Sequence, residues 1–175
     1  MKTTGVIRRI DELGRIVIPK EIRRNLGIRD GENIEIFTDE TSIILKKHSR
    51  IANYLDIISR IGDITNSVMG YSVIVTDREK VIFALGDNLD KINNKQISVL
   101  LKDLVDQRES KYDNIEINMN FENDELKGFF AVTPIIVSND SIGLIIIFNK
   151  NKLSEAEIKY SKMFAKVIGE KIDIT

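Results

Sequence analysis

The sequence predicts two domains. Residues 1–48 read as a β-dominated segment of order β-β-α-β-β that closes into a barrel only as an intertwined dimer. Residues 70–175 read as an α+β domain with an antiparallel sheet and flanking helices, and a helix over 49–69 joins the two. Three observations predict this. The formal net charge is −1 over 175 residues, yet the first 30 carry eight cations against four anions, a net +4 that leaves −5 for the remainder. Apolar periodicity changes character at His48, from short branched runs to a stripe at helical spacing. Beyond that point the patterns follow the order α-β-β-α-β-β-β-α, which favours an antiparallel sheet with helices packed on one side.

Composition narrows the chemistry. With 42% apolar and 30% charged residues, the chain holds one medium domain or two small ones. It has no cysteine, which excludes a disulfide framework, a thiol nucleophile and a cysteine-ligated metal. No apolar run approaches the roughly 20 residues needed to span a bilayer, and the N-terminus lacks the apolar core of a signal peptide, so a cytoplasmic location and no membrane partner are expected.

Within the first segment, residues 6–10 and 15–18 are strands by their branched apolar content. Asp11-Glu12-Leu13-Gly14 joins them, with Gly14 at a turn position that tolerates positive φ. Pro19 suits the first position of a helix and Gly27 its C-terminal stop, which predicts about two turns over 19–26. Ile22 and Leu26 share its apolar face. At about 100° per residue Lys20, Arg23 and Arg24 point elsewhere and make a basic face beside the hairpin that carries Arg8, Arg9 and Arg15. Six of the eight cations are arginine. Its planar fork binds phosphate oxygens in pairs and reads guanine edges, whereas a merely solubilising surface would use lysine as readily. Residues 33–37 and 42–46 form a second strand pair around Thr38-Asp39-Glu40-Thr41, with Ile34, Ile36, Ile43 and Leu45 as apolar positions.

About 50 residues without a disulfide or a metal make a marginal core. Pairing the strands of two copies doubles that core and sets two basic faces side by side, matching a two-fold symmetric site on DNA. The run TGVIRRIDELGRIVIPKEIRRNLGIRDGENIEIF followed by SIILKK resembles the swapped-hairpin DNA-binding domain of the AbrB type of bacterial transition-state regulators, over nearly all of residues 1–47. The resemblance implies a homodimer through residues 1–48 whose arginines grip double-stranded DNA, often at A·T-rich sites defined more by shape than by sequence. Carried over by position, the DNA-binding residues are Arg8, Arg15, Arg23 and Arg24. Arg9 follows them, because strand alternation sets it opposite Arg8, and Lys20 joins from the helix. Glu12 and Glu21 read as orienting partners for arginines, since nothing nearby completes a catalytic site.

The helix over 49–69 carries Ile51, Tyr54, Leu55, Ile58, Ile61, Val68 and Met69 mainly at steps of three and four, and Gly70 ends it. Residues 71–76 and 81–84 make a hairpin, and 94–108 a helix with Ile97, Leu100, Leu101, Leu104 and Val105 at helical spacing. Ile115, Ile117, Met119 and Phe121 alternate as a half-buried strand. Residues 128–137 and 142–148 pair around Ser138-Asn139-Asp140-Ser141, with Pro134 suited to an edge or a bulge. Ser154 and Glu157 fit a capping box, with Leu153 and Ile158 as its hydrophobic staple, ahead of a last helix bearing Phe164, Ala165, Ile168 and Ile172. The first and last helices suit packing within one subunit or a bundle between chains.

This order, closing on TPIIVSNDSIGLIIIF, resembles the GAF domains, sensory modules that hold a ligand between sheet and loops. The two parts together are similar to a family of regulators of genes in the developing spore, which implies a homotetramer with swapped dimers at one end and sensor-domain contacts at the other. The residues leave open whether a small-molecule ligand binds or the domain only oligomerises. An antitoxin, which would cap a toxin with a flexible acidic tail, is a further alternative, although apolar periodicity here continues to Ile172. No catalytic residue, metal site or cofactor is expected. The single histidine, His48, lies at the strand-to-linker junction, and Asp87, Asp103, Asp106 and Asp124 are scattered over loops and helix surface.

Overall fold

The computed structural model describes residues 5–112 and 116–174. The chain divides into two compact units, Met1–His48 and Ser49–Thr175.

In the first unit the regular elements are α1 (Lys20–Asn25), β1 (Ile34–Asp39) and β2 (Ser42–Lys47). Pro19 stands just before α1 with φ −58° and has no N–H to leave unpaired. At the other end Leu26 N–H donates to Ile22 O at 3.0 Å and Ile28 N–H to Arg23 O at 2.7 Å, with Gly27 at φ 62° reversing the chain. β1 and β2 pair antiparallel from Ile34↔Lys47 to Asp39↔Ser42, a tighter turn than the four-residue one expected. The strands expected over 6–10 and 15–18 form no ladder among the described residues. Their connecting turn is present, closed by Gly14 N–H to Asp11 O at 2.9 Å and Asp11 N–H to Arg15 O at 3.0 Å. A strand needs a neighbour that answers its N–H and C=O groups along its length, and the single chain builds no such ladder there. None of the described hydrophobic side chains of this unit is buried, and Ile7 is 88% exposed.

The second unit opens with a 3₁₀ turn, Ile51–Tyr54, that leads into α2 (Leu55–Met69). Ile51 and Ile58 are buried, and Gly70 ends the helix at φ 70°, its N–H donating to Asn66 O at 3.0 Å. β3 (Ser72–Asp77) and β4 (Val81–Leu85) form the first hairpin. α3 spans Val99–Gln107 and starts five residues later than its apolar spacing predicts. The residues before it have other partners: Val81 N–H donates to Lys95 O at 2.9 Å, Asn94 N–H to Val81 O at 3.0 Å and Ile97 N–H to Glu79 O at 2.9 Å, so residues 94–97 run beside the β3–β4 turn and the first residue of β4 before Ser98 caps the helix. A 3₁₀ turn at Asp90–Ile92, too short to show in apolar periodicity, buries Ile92 beside Leu89.

The short β5 (Lys111–Tyr112) and β6 (Ile117–Phe121) both pair with the long β7 (Asp124–Val137), which in turn pairs with β8 (Asp140–Asn149). Of the expected strand over 115–121, Ile115 lies outside the described residues, and Met119 and Phe121 are buried. The sheet order is β4-β3-β8-β7-β5, with β6 beside β7 and every pairing antiparallel. Pro134 sits in β7 beyond the reach of β5 and next to a bulge at Ile135/Ile136. α4 (Glu155–Asp173) closes the chain, Glu157 accepting from Ser154 N–H in the capping box.

The helices lie on both faces of the sheet, which corrects the one-sided arrangement expected. Ile74, Phe130, Leu144 and Ile146 share a core with Leu101 and Leu104 of α3. Val73, Val75, Ile145 and Ile147 share a second core with Ile58 of α2 and Phe164 and Ile168 of α4. β8 is the cause. Its unbroken apolar run from Leu144 to Phe148 alternates between the two cores, and a strand apolar on both faces needs a layer on each.

Gly143 leaves no room for a side chain where β8 passes β3. A Cβ there would lie 1.9 Å from Thr76 O and 2.5 Å from Ile51 Cδ1. Gly143→Ala is therefore expected to destabilise the second unit by about 1–3 kcal/mol through overpacking, read as a lowered urea midpoint at fixed protein concentration. An unchanged midpoint would contradict this packing.

Candidate nucleic-acid interface

All six cations expected to meet DNA lie in the first unit, in two groups. The first is built on the turn that begins at Asp11. Its Oδ1 accepts N–H bonds from Leu13 at 3.0 Å and Arg15 at 2.8 Å, which fixes the carboxylate against the backbone. Its Oδ2 accepts from Arg15 Nε at 2.8 Å. Gly14, at φ 74°, supplies the left-handed residue that the reversal needs. Hydrogen bonds from the Arg15 backbone and then its side chain hold the Asp11 carboxyl below the usual carboxylate range. Nε is the guanidinium nitrogen that Asp11 engages, so Nη1 and Nη2 project outward on a side chain that is 72% exposed. Arg8 and Arg9 precede this turn and are both exposed, with Arg8 Nη1 donating to Ile7 O at 3.1 Å.

The second group belongs to α1. Lys20, Arg23 and Arg24, three and four residues apart, stand on one side of the helix, away from Ile22. Arg23 Nη1 donates to Asp30 Oδ1 at 2.5 Å, but Asp30 is 93% exposed. The turn after the helix is tied by Lys47 Nζ to Gly27 O at 3.0 Å and by Glu32, whose Oε2 accepts Arg29 N–H at 2.9 Å.

Among the described residues the acids that pair with these arginines are Asp11 and Asp30, not Glu12 and Glu21 as expected. A readable signal existed for one of them: an aspartate opening a turn, four residues before an arginine, is the residue type whose carboxylate caps such a turn. Elsewhere His48 Nδ1 lies 3.7 Å from Glu35 Oε2 and its backbone N–H donates to Asn33 O at 3.1 Å, a strand-end role. Asp106 pairs with Arg78 at 3.1 Å. Asp124 meets Lys95 and Lys91, and the hydrogen bond from Lys95 above all holds its carboxyl low. Among the described residues no group of three or more histidine, aspartate or glutamate side chains is placed to hold a metal ion, and no helix is long and apolar enough to cross a membrane.

Known proteins share both parts of the chain. The family of the C-terminal part of stage V sporulation protein T, a transcription factor, matches residues 57–173. The family of antidote-toxin recognition MazE, a bacterial antitoxin, matches residues 7–53. Stage V sporulation protein T of Bacillus subtilis (strain 168) is 38% identical over 177 aligned residues, covering 99% of either chain. The transition state regulatory protein AbrB of the same organism is 56% identical over 48 residues, 27% of this chain and 50% of that one. The crystal structure of the GAF domain from Acinetobacter phosphoenolpyruvate-protein phosphotransferase covers 70% of this chain and 88% of its own at 14% identity, with a TM-score of 0.50, a likeness of fold alone.

Because its folded pKa is depressed, Asp11 is expected to support the turn fully above about pH 4 and to lose that support as pH falls through the lower folded value. Carboxyl-carbon NMR titration of the full chain checks this. A midpoint at or above the ordinary aspartate value would contradict the bonds drawn to Asp11.

Proposed function

The chain belongs to the stage V sporulation protein T family of transcription factors, and on that footing we propose that it activates and represses sporulation genes by binding double-stranded DNA through an intertwined dimer of residues 1–48. The observation that carries the proposal is the incompleteness of the first unit. It gathers Arg8, Arg9, Arg15, Lys20, Arg23 and Arg24, yet buries none of its described hydrophobic side chains and leaves residues 7–18 outside any strand ladder. A second copy supplies both wants: strands to complete a ladder and a second set of cations for the other half of a two-fold site.

Exposed apolar residues on α2 (Ile64, Val68) and α4 (Met163, Val167) support a homotetramer built through the second unit. A transcription regulator of a bacterium works where the chromosome is, in the cytoplasm. No enzymatic step is assigned to it, and without cysteine the chain has no thiol chemistry to offer. If a small molecule acts through the GAF-like unit, it does so by favouring one quaternary state over another, for which about 1–3 kcal/mol is ordinary.

The match of residues 7–53 to an antitoxin family favours a second reading for the first unit alone. Against it for the whole chain stands an ordered two-core domain where a flexible tail would be needed.

Salt dependence tests the DNA contact. In the full chain, Arg8→Ala and Arg24→Ala are each expected to flatten the plot of log affinity against log salt by roughly one unit, and an unchanged slope would remove that residue from the interface. Hydrogen exchange tests the dimer. Amides over 6–10 and 15–18 are expected to be protected in the assembled protein, and free exchange there would contradict the shared barrel.

A further inference from the structure

We infer that Arg15 reads base edges rather than neutralising phosphate, and that Asp11 is the positioning residue that commits it to that task. The inference rests on the proposed DNA contact and divides its labour among the arginines.

Phosphate contact needs positive charge and tolerates loose geometry. Base reading needs a fixed fork facing neutral acceptors. Asp11 supplies the second condition and removes the first. Its carboxylate lies 2.8 Å from Arg15 Nε, so an approaching phosphate meets a pair whose net charge is close to zero and whose acid repels it. A base edge carries no net charge. Its acceptors, whether purine N7 and O6 or the N3 and O2 atoms of the minor groove, still attract the two N–H-bearing ends of the fork.

The orientation is fixed as well as the charge. Oδ1 is held by the N–H groups of Leu13 and Arg15, so the carboxylate has little freedom to swing and Oδ2 sets the guanidinium plane through Nε. Nη1 and Nη2, the pair used in end-on bidentate contact, are left facing solvent. Asp11 is 42% exposed where Asp30 is 93% exposed. Asp30 accepts from one Nη of Arg23 through a side chain on open surface, a bond that a phosphate can replace. Among the described residues no acid pairs with Arg8 or Arg24. Arg8, Arg23 and Arg24 are therefore the phosphate grips, and Arg15 stands apart from them.

The test uses the full chain, a duplex selected by the wild-type protein from a random-sequence library, and a scrambled duplex of the same composition, each titrated across a salt series. R24A is expected to weaken both duplexes alike and to lower the salt slope by about one. R15Q and R15K are expected to lose about tenfold or more on the selected duplex, change little on the scrambled one, and move the slope by less than about half a unit. R15K is the sharper of the two, because it keeps the charge and lacks the fork. D11N keeps an acceptor for the two backbone N–H groups and removes the anion. It is expected to bind the scrambled duplex more tightly, with a steeper slope and a narrower ratio of selected to scrambled affinity.

R15K behaving as wild type, or R15Q weakening both duplexes alike with a full unit of slope lost, would overturn the assignment of Arg15. D11N lowering both affinities in parallel would reduce Asp11 to a builder of the turn. Wild-type protein that binds neither duplex would remove the DNA-binding reading itself, and this inference with it.

Discussion

A segment of fewer than 50 residues has so much surface for its volume that its apolar core is marginal at best, and the first unit is built under that constraint. Its strands stop at one hairpin, its helix is six residues long, and none of its described hydrophobic side chains is buried. What order it has is held by polar ties: Asp11 in the first turn, Lys47 reaching back to Gly27, Glu32 on the amide of Arg29. Those ties fix local geometry at the places where arginines must be aimed. They supply no apolar burial, the main driving force of folding, which is the lack that the proposed dimer would make good.

The second unit lives under the opposite regime. Its central strand is apolar on both faces, and the two cores that result draw in every long helix of the unit. Thr133 and Ser161 share a hydroxyl bond at 2.8 Å between β7 and α4. At one end of the sheet Arg78 binds Asp140 at 3.0 Å and Asp106 at 3.1 Å, joining the turn after β3 to the β7–β8 turn and to α3. Burial, with Glu157 nearby, pushes the Tyr71 hydroxyl above its ordinary value. A domain packed this way closes its core within one chain.

Legibility in the sequence tracks the range of the interactions involved. Hairpins bounded by turn residues, the Gly70 stop of α2 and the capping box of α4 are local, and their signals are written within a few positions of where they act. The start of α3 is not legible, because Ile97 falls at helical spacing from Leu100 and Leu101 while residues 94–97 are taken instead by Glu79, Lys80 and Val81, neighbours distant in sequence. The second helical layer is missed by element order alone although its cause is in view: the run Leu144 to Phe148 is too apolar for a strand with one wet face. In the first unit the arginines stand out through their number and spacing. Of the acids that meet them, Asp11 is legible as the aspartate that opens a turn, whereas Asp30, seven residues from Arg23, is placed only by the fold of the loop after α1.

The missing core of the first unit also bears on how the protein would answer to its own abundance. If folding of the DNA-binding unit requires a second chain, the competent fraction is governed by mass action, and at low abundance it rises faster than the amount of protein made. A newly made or isolated chain is then silent on DNA, and a modest loss of expression removes more than its share of regulation. Such a regulator responds to gene dosage as a threshold, with no ligand or modification needed to set it.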